Sequence, residues 1–446
     1  MQMLAQSLAE RCADDWSVRL GLAQCRELHS VVRTAFIDTS ACLLAGRAEP
    51  VSALALRWAR TASSEGGPCT VLFGNERLDA SGAALVNGVT AHALDFDDVA
   101  LAGHPSVALV PVLLAEHERS GVRGFDLVQA YAKGFALWAD LQARLRVSLH
   151  ARGWHPTAVF GVLAATAAVA SSRRLSAAAT AHALGIAASQ AAGVVANFGS
   201  MTKPLHVGQA AQRALMAVDL AQLGFDASLD ALDGPAGLLC ALVGRDHVDL
   251  TGSLATDFES TLLRLRPGIK KYPVCYAAHR VVDGVLGLVL AHDLEPVHVA
   301  RVDATISRTA AGVLRQHEPR SVAEARFSLE FVVAAALARR SLGINDVCAA
   351  TLSDPAVGNL MLRVHTHVVD TSCPLEPSFA LTDEVKLTLH DGRVLQSGPI
   401  RFARGHAECP LQESELHAKL FACVGGQELG LAEQTLHRID EALQDG

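Results

Sequence analysis

The chain has 446 residues, of which 50% are hydrophobic and 19% charged, with a formal net charge of −8 at pH 7. A mean hydropathy of +0.26 excludes a disordered, charge-rich chain and predicts a large buried core. The acidic balance excludes a partner held by phosphate neutralisation, so no nucleic acid is expected.

The longest apolar run, residues 158–170, stops at Ser171-Ser172-Arg173-Arg174, short of the ~20 residues a spanning helix needs. No membrane partner is expected. The start of the chain carries Glu10, Asp14 and Asp15 and lacks the basic-then-apolar order of a secretion signal. The 10 cysteines are scattered without a C-x-x-C pair, which reads as reduced thiols in a cytoplasmic protein.

Helical patterns dominate to about residue 265. Val31, Val32, Ala35, Phe36, Ala41 and Leu44 mark one helix over 31–45, with Gly46 as its stop. Leu175-Ser176 reads as an N-cap to a helix reaching Gly193, and 209–223 forms another, closed by Gly224. After Pro267 the texture changes. Val302, Ala304 and Ile306 alternate with polar residues, as do Val364, Thr366 and Val368, and Val385, Leu387 and Leu389; Asp391-Gly392 then supplies a hairpin turn before 393–396. Helices over 277–291 and 331–342 sit between these strands, and helices return from Glu413. The fold class expected is mainly α: a large all-helical domain built from both chain ends (1–267 and 404–446), plus a smaller α+β lid domain (268–403).

Four polar segments interrupt the apolar helices. Asp95, Asp97 and Asp98 end one helical pattern and precede His104-Pro105-Ser106. Taken alone, such carboxylates cap helices and fix a loop, or hold Mg²⁺ for diphosphate chemistry. Gly153-Trp154-His155-Pro156-Thr157 feeds the Ala-rich helix, with Thr157 as a cap and the helix N-terminus favourable to an anion. Lys203 and His206 lie in a third segment; Lys270, Lys271, Tyr272 and His279 lie in a fourth. Basic groups among Gly, Pro and apolar helices in an acidic protein point to a pocket for a polyanion. Three other features read as ordinary structure. His365 and His367 lack a third zinc ligand at sensible spacing, Cys275 is a packing thiol, and Gly234 to Gly237 lacks a phosphate loop's strand-then-helix context.

The segments HALDFDD…HPS, GWHPTAVFG, TKPLHVGQAA, DGPAG, KKYPVCYAAH and EARFSLEFVVA, in this order, resemble the MmgE/PrpD family. That family contains 2-methylcitrate dehydratase, cis-aconitate decarboxylase and iminodisuccinate epimerase. The resemblance implies a helical domain with an α+β lid, a homodimer, no metal and no organic cofactor. It places the catalytic positions on Asp95, His104, His155, Lys203 and Lys270, at the domain cleft. His206, Lys271, His279, Ser106 and Tyr272 follow as substrate contacts. Val99 and Phe331 stand where the dehydratase and decarboxylase pattern has hydroxyl-bearing residues, and an elimination or decarboxylation needs a proton donor. The expectation is therefore a cofactor-independent epimerase, an isomerase that moves the Cα proton of iminodisuccinate by general acid/base catalysis. Lys203 or Lys270 would carry one proton and His104 or His155 the other. The alternative is a lyase, either a hydro-lyase of the 2-methylcitrate dehydratase kind or a decarboxylase acting on a tricarboxylate. In both cases the partner is a small polycarboxylate.

Overall fold

The computed structural model describes residues 3–62, 66–71, 74–252, 254, 257–376, 378–425 and 428–445. The chain divides into two compact units: Met1–Ala93, Asp97–Pro267 and Leu416–Gly446 form the first, and Leu94–Phe96 and Gly268–Glu415 the second. The fold is mainly α with one small sheet domain, as the periodicities predict. The second unit also takes Leu94–Phe96 and residues 404–415, which the sequence pattern groups with the helical part.

In the first unit the helices that matter here are α1 (Leu22–Gly46), α2 (Ala80–Ala91), α3 (Pro105–Ser120), α4 (Phe125–Ala143), α5 (Pro156–Ser172), α6 (Ala177–Ala188) and α7 (Thr202–Gln222). Helix α5 is apolar all round and is the central rod, packed on α3, α4, α6 and α7. A helix with no polar face has to be enclosed on every side. That is why the longest apolar run ends as core, and among the described residues no helix is long and apolar enough to cross a membrane. Ser176 caps α6 by accepting from Ala179 N, but the helix ends at Ala188 rather than Gly193. Helix α1 starts nine residues before the expected 31 because the preceding turns lie on its more exposed side.

Two glycines set the crossing of α2 with α7. A Cβ on Gly208 would lie 2.4 Å from the Leu85 carbonyl oxygen, and one on Gly88 would lie 3.0 Å from the Gly208 Cα. The backbones therefore touch, and this contact fixes α7, which carries Lys203 and His206, against the helix leading into His92. The C-terminal residues are held to α1 by buried charge: Lys419 Nζ lies 2.6 Å from Asp38 Oδ1.

The second unit is built on a four-stranded sheet in the order β2-β1-β3-β4, from β1 (Val299–Ser307), β2 (Val364–Val369), β3 (Glu384–Leu389) and β4 (Val394–Gln396). Strand β1 pairs parallel to β2 (Val302 with Val364) and antiparallel to β3 (Val302 with Leu387). Gly392, at φ 88°, makes the turn between β3 and β4. The apolar alternation of β1 and β3 is buried in one core cluster with α8 (His279–Ala291) and α9 (Leu329–Arg339), whereas of the expected alternation in β2 only Val364 is buried and Val368 is exposed.

Gly208→Ala is expected to destabilise the protein by about 1–3 kcal/mol, because the added methyl meets rigid backbone rather than a movable side chain. Thermal unfolding of the variant checks this. An unchanged midpoint would show that the two helices are not in backbone contact.

Candidate active site

Two of the histidines owe their positions to the same local device. His104-Pro105 and His155-Pro156 open α3 and α5, each with proline at the first helical position and histidine at the N-cap. Proline is pre-set for that position, and it drives the residue before it out of the helical region. Both imidazoles therefore stand at helix starts. Thr157 Oγ1 accepts from His104 N at 3.2 Å, so it ties the two starts together rather than capping its own helix.

A third imidazole, His92, lies at the C-cap of α2 and joins them. Its ring centroid is 4.8 Å from that of His104 and 5.9 Å from that of His155. Asp97, fully buried, connects the first two: His92 Nδ1 lies 2.9 Å from Asp97 Oδ1, and His104 Nδ1 lies 3.0 Å from Asp97 Oδ2. His104 Nδ1 is also 2.7 Å from the Asp98 carbonyl oxygen. Both Nδ1 atoms face acceptors, so each carries the hydrogen and leaves Nε2 with the lone pair when the ring is neutral. His155 Nδ1 meets His206 Nδ1 at 3.2 Å, and Phe198 stacks edge-on against His155 with Lys203 Nζ 5.2 Å from its ring centroid.

Burial dominates the electrostatics. It pushes His92 down to about 4, with Lys203 and His104 adding to the effect and Asp97 opposing it. Burial also holds His155 well below the ordinary imidazole range, helped by His92, Lys203, His104 and His206. His206 is lowered by burial and by the charges of Arg213 and Lys203. Burial works against the charge of Asp97. The hydrogen bonds and charges of His92 and His104 outweigh it and hold the carboxyl well below its usual range. The cluster at neutral pH is thus one carboxylate and neutral imidazoles at His92 and His155, with the Lys203 side chain beside them.

The three aspartates of the first polar segment answer to different partners, which argues against the Mg²⁺ reading. Asp98 is pushed well above its usual range by burial; it accepts from Ser106 N at 3.2 Å and bonds Ser106 Oγ, capping α3. Ser106 Oγ also meets Tyr131 Oη at 2.7 Å. Its hydroxyl, expected as a substrate contact, is bonded here inside the core to Asp98 and Tyr131. Asp95, at φ 53°, belongs to the second unit, where Lys270 Nζ donates to its carbonyl oxygen at 2.6 Å and to its Oδ2 at 3.0 Å.

The other expected positions of the second unit are spread over separate bonds. Tyr272 Oη donates to Asp283 Oδ1 at 2.7 Å, and Lys271 Nζ lies 3.4 Å from Glu415 Oε1 at the surface. His279 is buried between Tyr272 and Tyr276, each ring centroid 5.1 Å away, with Nε2 3.3 Å from the Val274 carbonyl oxygen. Within the first unit, His104, His155, His206 and Lys203 come together. His92 was missed as a site residue, and Asp97 was read only with Asp95 and Asp98 as a helix-capping or Mg²⁺-holding cluster.

The match to known families covers most of the chain. Residues 15–251 match the MmgE/PrpD N-terminal domain, and residues 272–445 match the MmgE/PrpD C-terminal domain. The chain belongs to the MmgE/PrpD family. It is 31% identical over 389 residues to the cis-aconitate decarboxylase of Mus musculus, covering 83% of this chain and 77% of that one. It is 31% identical over 365 residues to the Homo sapiens cis-aconitate decarboxylase, covering 78% and 73%. The Aspergillus terreus cis-aconitate decarboxylase is 25% identical over 299 residues, covering 61% and 60%. These relatives overturn the expectation of an iminodisuccinate epimerase, which rested on two missing hydroxyls. Phe331, one of the two positions, is fully buried in the core cluster of the second unit, so its lack of a hydroxyl is a packing feature and does not mark an isomerase.

Because His92 titrates near 4 in the folded protein and near 6.5 when unfolded, the unfolded chain binds its proton first as pH falls. Stability is therefore full above about pH 6.5 and is lost as pH drops towards 4, by ~3 kcal/mol from this residue alone. His92→Asn is expected to flatten the fall in unfolding temperature between these limits. An equally steep fall in the variant would mean that His92 is not held neutral.

Proposed function

We propose that the protein is a lyase that decarboxylates cis-aconitate or a close tricarboxylate. The observation that carries this is the likeness to the Mus musculus cis-aconitate decarboxylase over 83% of the chain. The imidazole cluster supplies groups suited to that chemistry.

The substrate presents three carboxylates around one double bond. Breaking the bond from the CH₂ group to its carboxylate releases CO₂, and that electron pair forms a new methylidene double bond. The original double-bond pair moves onto the neighbouring CH as an enediolate conjugated with its carboxylate. One proton added at that carbon completes the product. The protein therefore has to hold anions, stabilise added negative charge and deliver one proton.

Lys203 lies in the first turn of α7, and His104 and His155 are N-caps of α3 and α5. Helix starts offer free N–H groups and a favourable dipole to carboxylates. We assign anion holding to Lys203 and to the neutral His155 and His206. His104 is assigned as proton donor: Asp97 and the Asp98 carbonyl oxygen fix its Nδ1–H, so a proton reaching the ring sits on Nε2 and leaves from there. Asp97 acts through His104 and is a positioning residue. Lys270 is a weaker candidate for proton transfer because its ammonium is already bonded twice to Asp95.

Proton NMR of cis-aconitate with the protein tests the reading. Loss of the vinyl proton with growth of two methylidene protons and release of CO₂ is expected, and 2-methylcitrate should be left unchanged. Lys203→Ala and His104→Ala should each lower the rate at least ~10²-fold. No turnover of cis-aconitate, or dehydration of 2-methylcitrate instead, would overturn the decarboxylase reading.

A further inference from the structure

His92, Asp97 and His104 have a second chemical capacity beyond proton transfer. Each offers one ligand atom, and these atoms lie within 4.8 Å of one another. All three sit in the first unit, with His92 and Asp97 fully buried and their side chains at 0% exposure. The nitrogen-to-oxygen separations are 2.9 Å for His92 with Asp97 and 3.0 Å for His104 with Asp97. A zinc-class ion holds nitrogen and oxygen ligands at roughly 2.0–2.2 Å, which in a tetrahedral shell puts two such atoms about 3.3–3.6 Å apart. An ion can therefore replace the shared hydrogens with movements of a few tenths of an ångström.

Donor chemistry narrows the ion. Two imidazole nitrogens with one carboxylate oxygen select borderline transition metals, whereas Mg²⁺ and Ca²⁺ prefer all-oxygen shells. Asp97 brings a negative charge to a dry site. Among the described residues His92 Nε2 is buried without a hydrogen-bond partner, so a ring that turns or shifts tautomer on binding breaks no bond at that atom.

We propose that His92, Asp97 and His104 bind one divalent transition-metal ion of the zinc class, and that the bound ion inhibits the enzyme by occupying His104. Binding needs no covalent step; a ring that loses its Nδ1 hydrogen to the ion takes one up at Nε2. The inhibition rests on the assignment of His104 as proton donor, but the binding does not.

The test uses the whole chain, freed of metal by dialysis against a chelator. Calorimetric titration with Zn²⁺ should show one saturable site per chain, and Mg²⁺ should give no binding. Co²⁺ should give the weak visible bands of a nitrogen and oxygen site. H92Q and D97N, checked for folding by circular dichroism, should each weaken Zn²⁺ binding at least about tenfold. If one variant fails to fold, the other and the Co²⁺ spectrum still decide. Absence of saturable Zn²⁺ binding would overturn the proposal. So would unchanged affinity in a folded variant, or an intense cobalt–thiolate band, which would assign the ion to cysteine. Binding without loss of activity would overturn the inhibition alone and leave the decarboxylase reading untouched.

Discussion

A fully buried carboxylate has to find donors or give up its charge, and in this protein Asp97 finds two imidazoles. That constraint organises the rest of the first unit's polar interior. It fixes the tautomers of His92 and His104. It also requires the end of α2 and the start of α3 to meet at one place. The stretch leading into α3 is strained in its backbone, where Leu101 and Ala102 both take positive φ values. Such conformations persist where the surrounding structure dictates them, and they cluster at functional sites.

The apolar architecture makes this arrangement affordable. Helix α5 is enclosed by its neighbours, and the glycine contact between α2 and α7 lets two backbones meet without side chains between them. Water is thereby kept from the cluster, and exclusion of water is what lowers His92 and His155. The same small residues that make the chain look bland in composition thus produce the electrostatics of the site. Neutral imidazoles at His92 and His155 and the Lys203 side chain lie side by side in it.

Much of the fold was legible because its signals are local. The alternation in 302–306, 364–368 and 385–389 and the turn at Asp391-Gly392 became the strands and hairpin of the sheet, and Ser176 became the cap it resembled. Helix ends were less legible: α6 stops five residues early, because its end is set by packing and not by the next glycine. At the site, His-Pro steps could be recognised as helix starts, and His104, His155, Lys203 and His206 were singled out. Asp97 was read only with Asp95 and Asp98 as a capping or Mg²⁺-holding cluster and His92 was not singled out, since a His and an Asp five residues apart carry no mark that one will be buried against the other. Phe331 misled for a related reason. A missing hydroxyl says little about chemistry at a position whose side chain lies wholly in the core.

Asp97 fixes His92 and His104 as Nδ1–H tautomers, and burial, against the pull of Asp97, keeps His92 neutral. Nitrogen-15 NMR of the histidine side chains, followed from pH 8 to pH 5, measures this directly. The account predicts two rings protonated at Nδ1 with bare Nε2 at pH 8, one of them unchanged down to pH 5, and loss of that fixed pattern in Asp97→Asn. An Nε2–H tautomer at His104, or a His92 that protonates near pH 6.5, would contradict it.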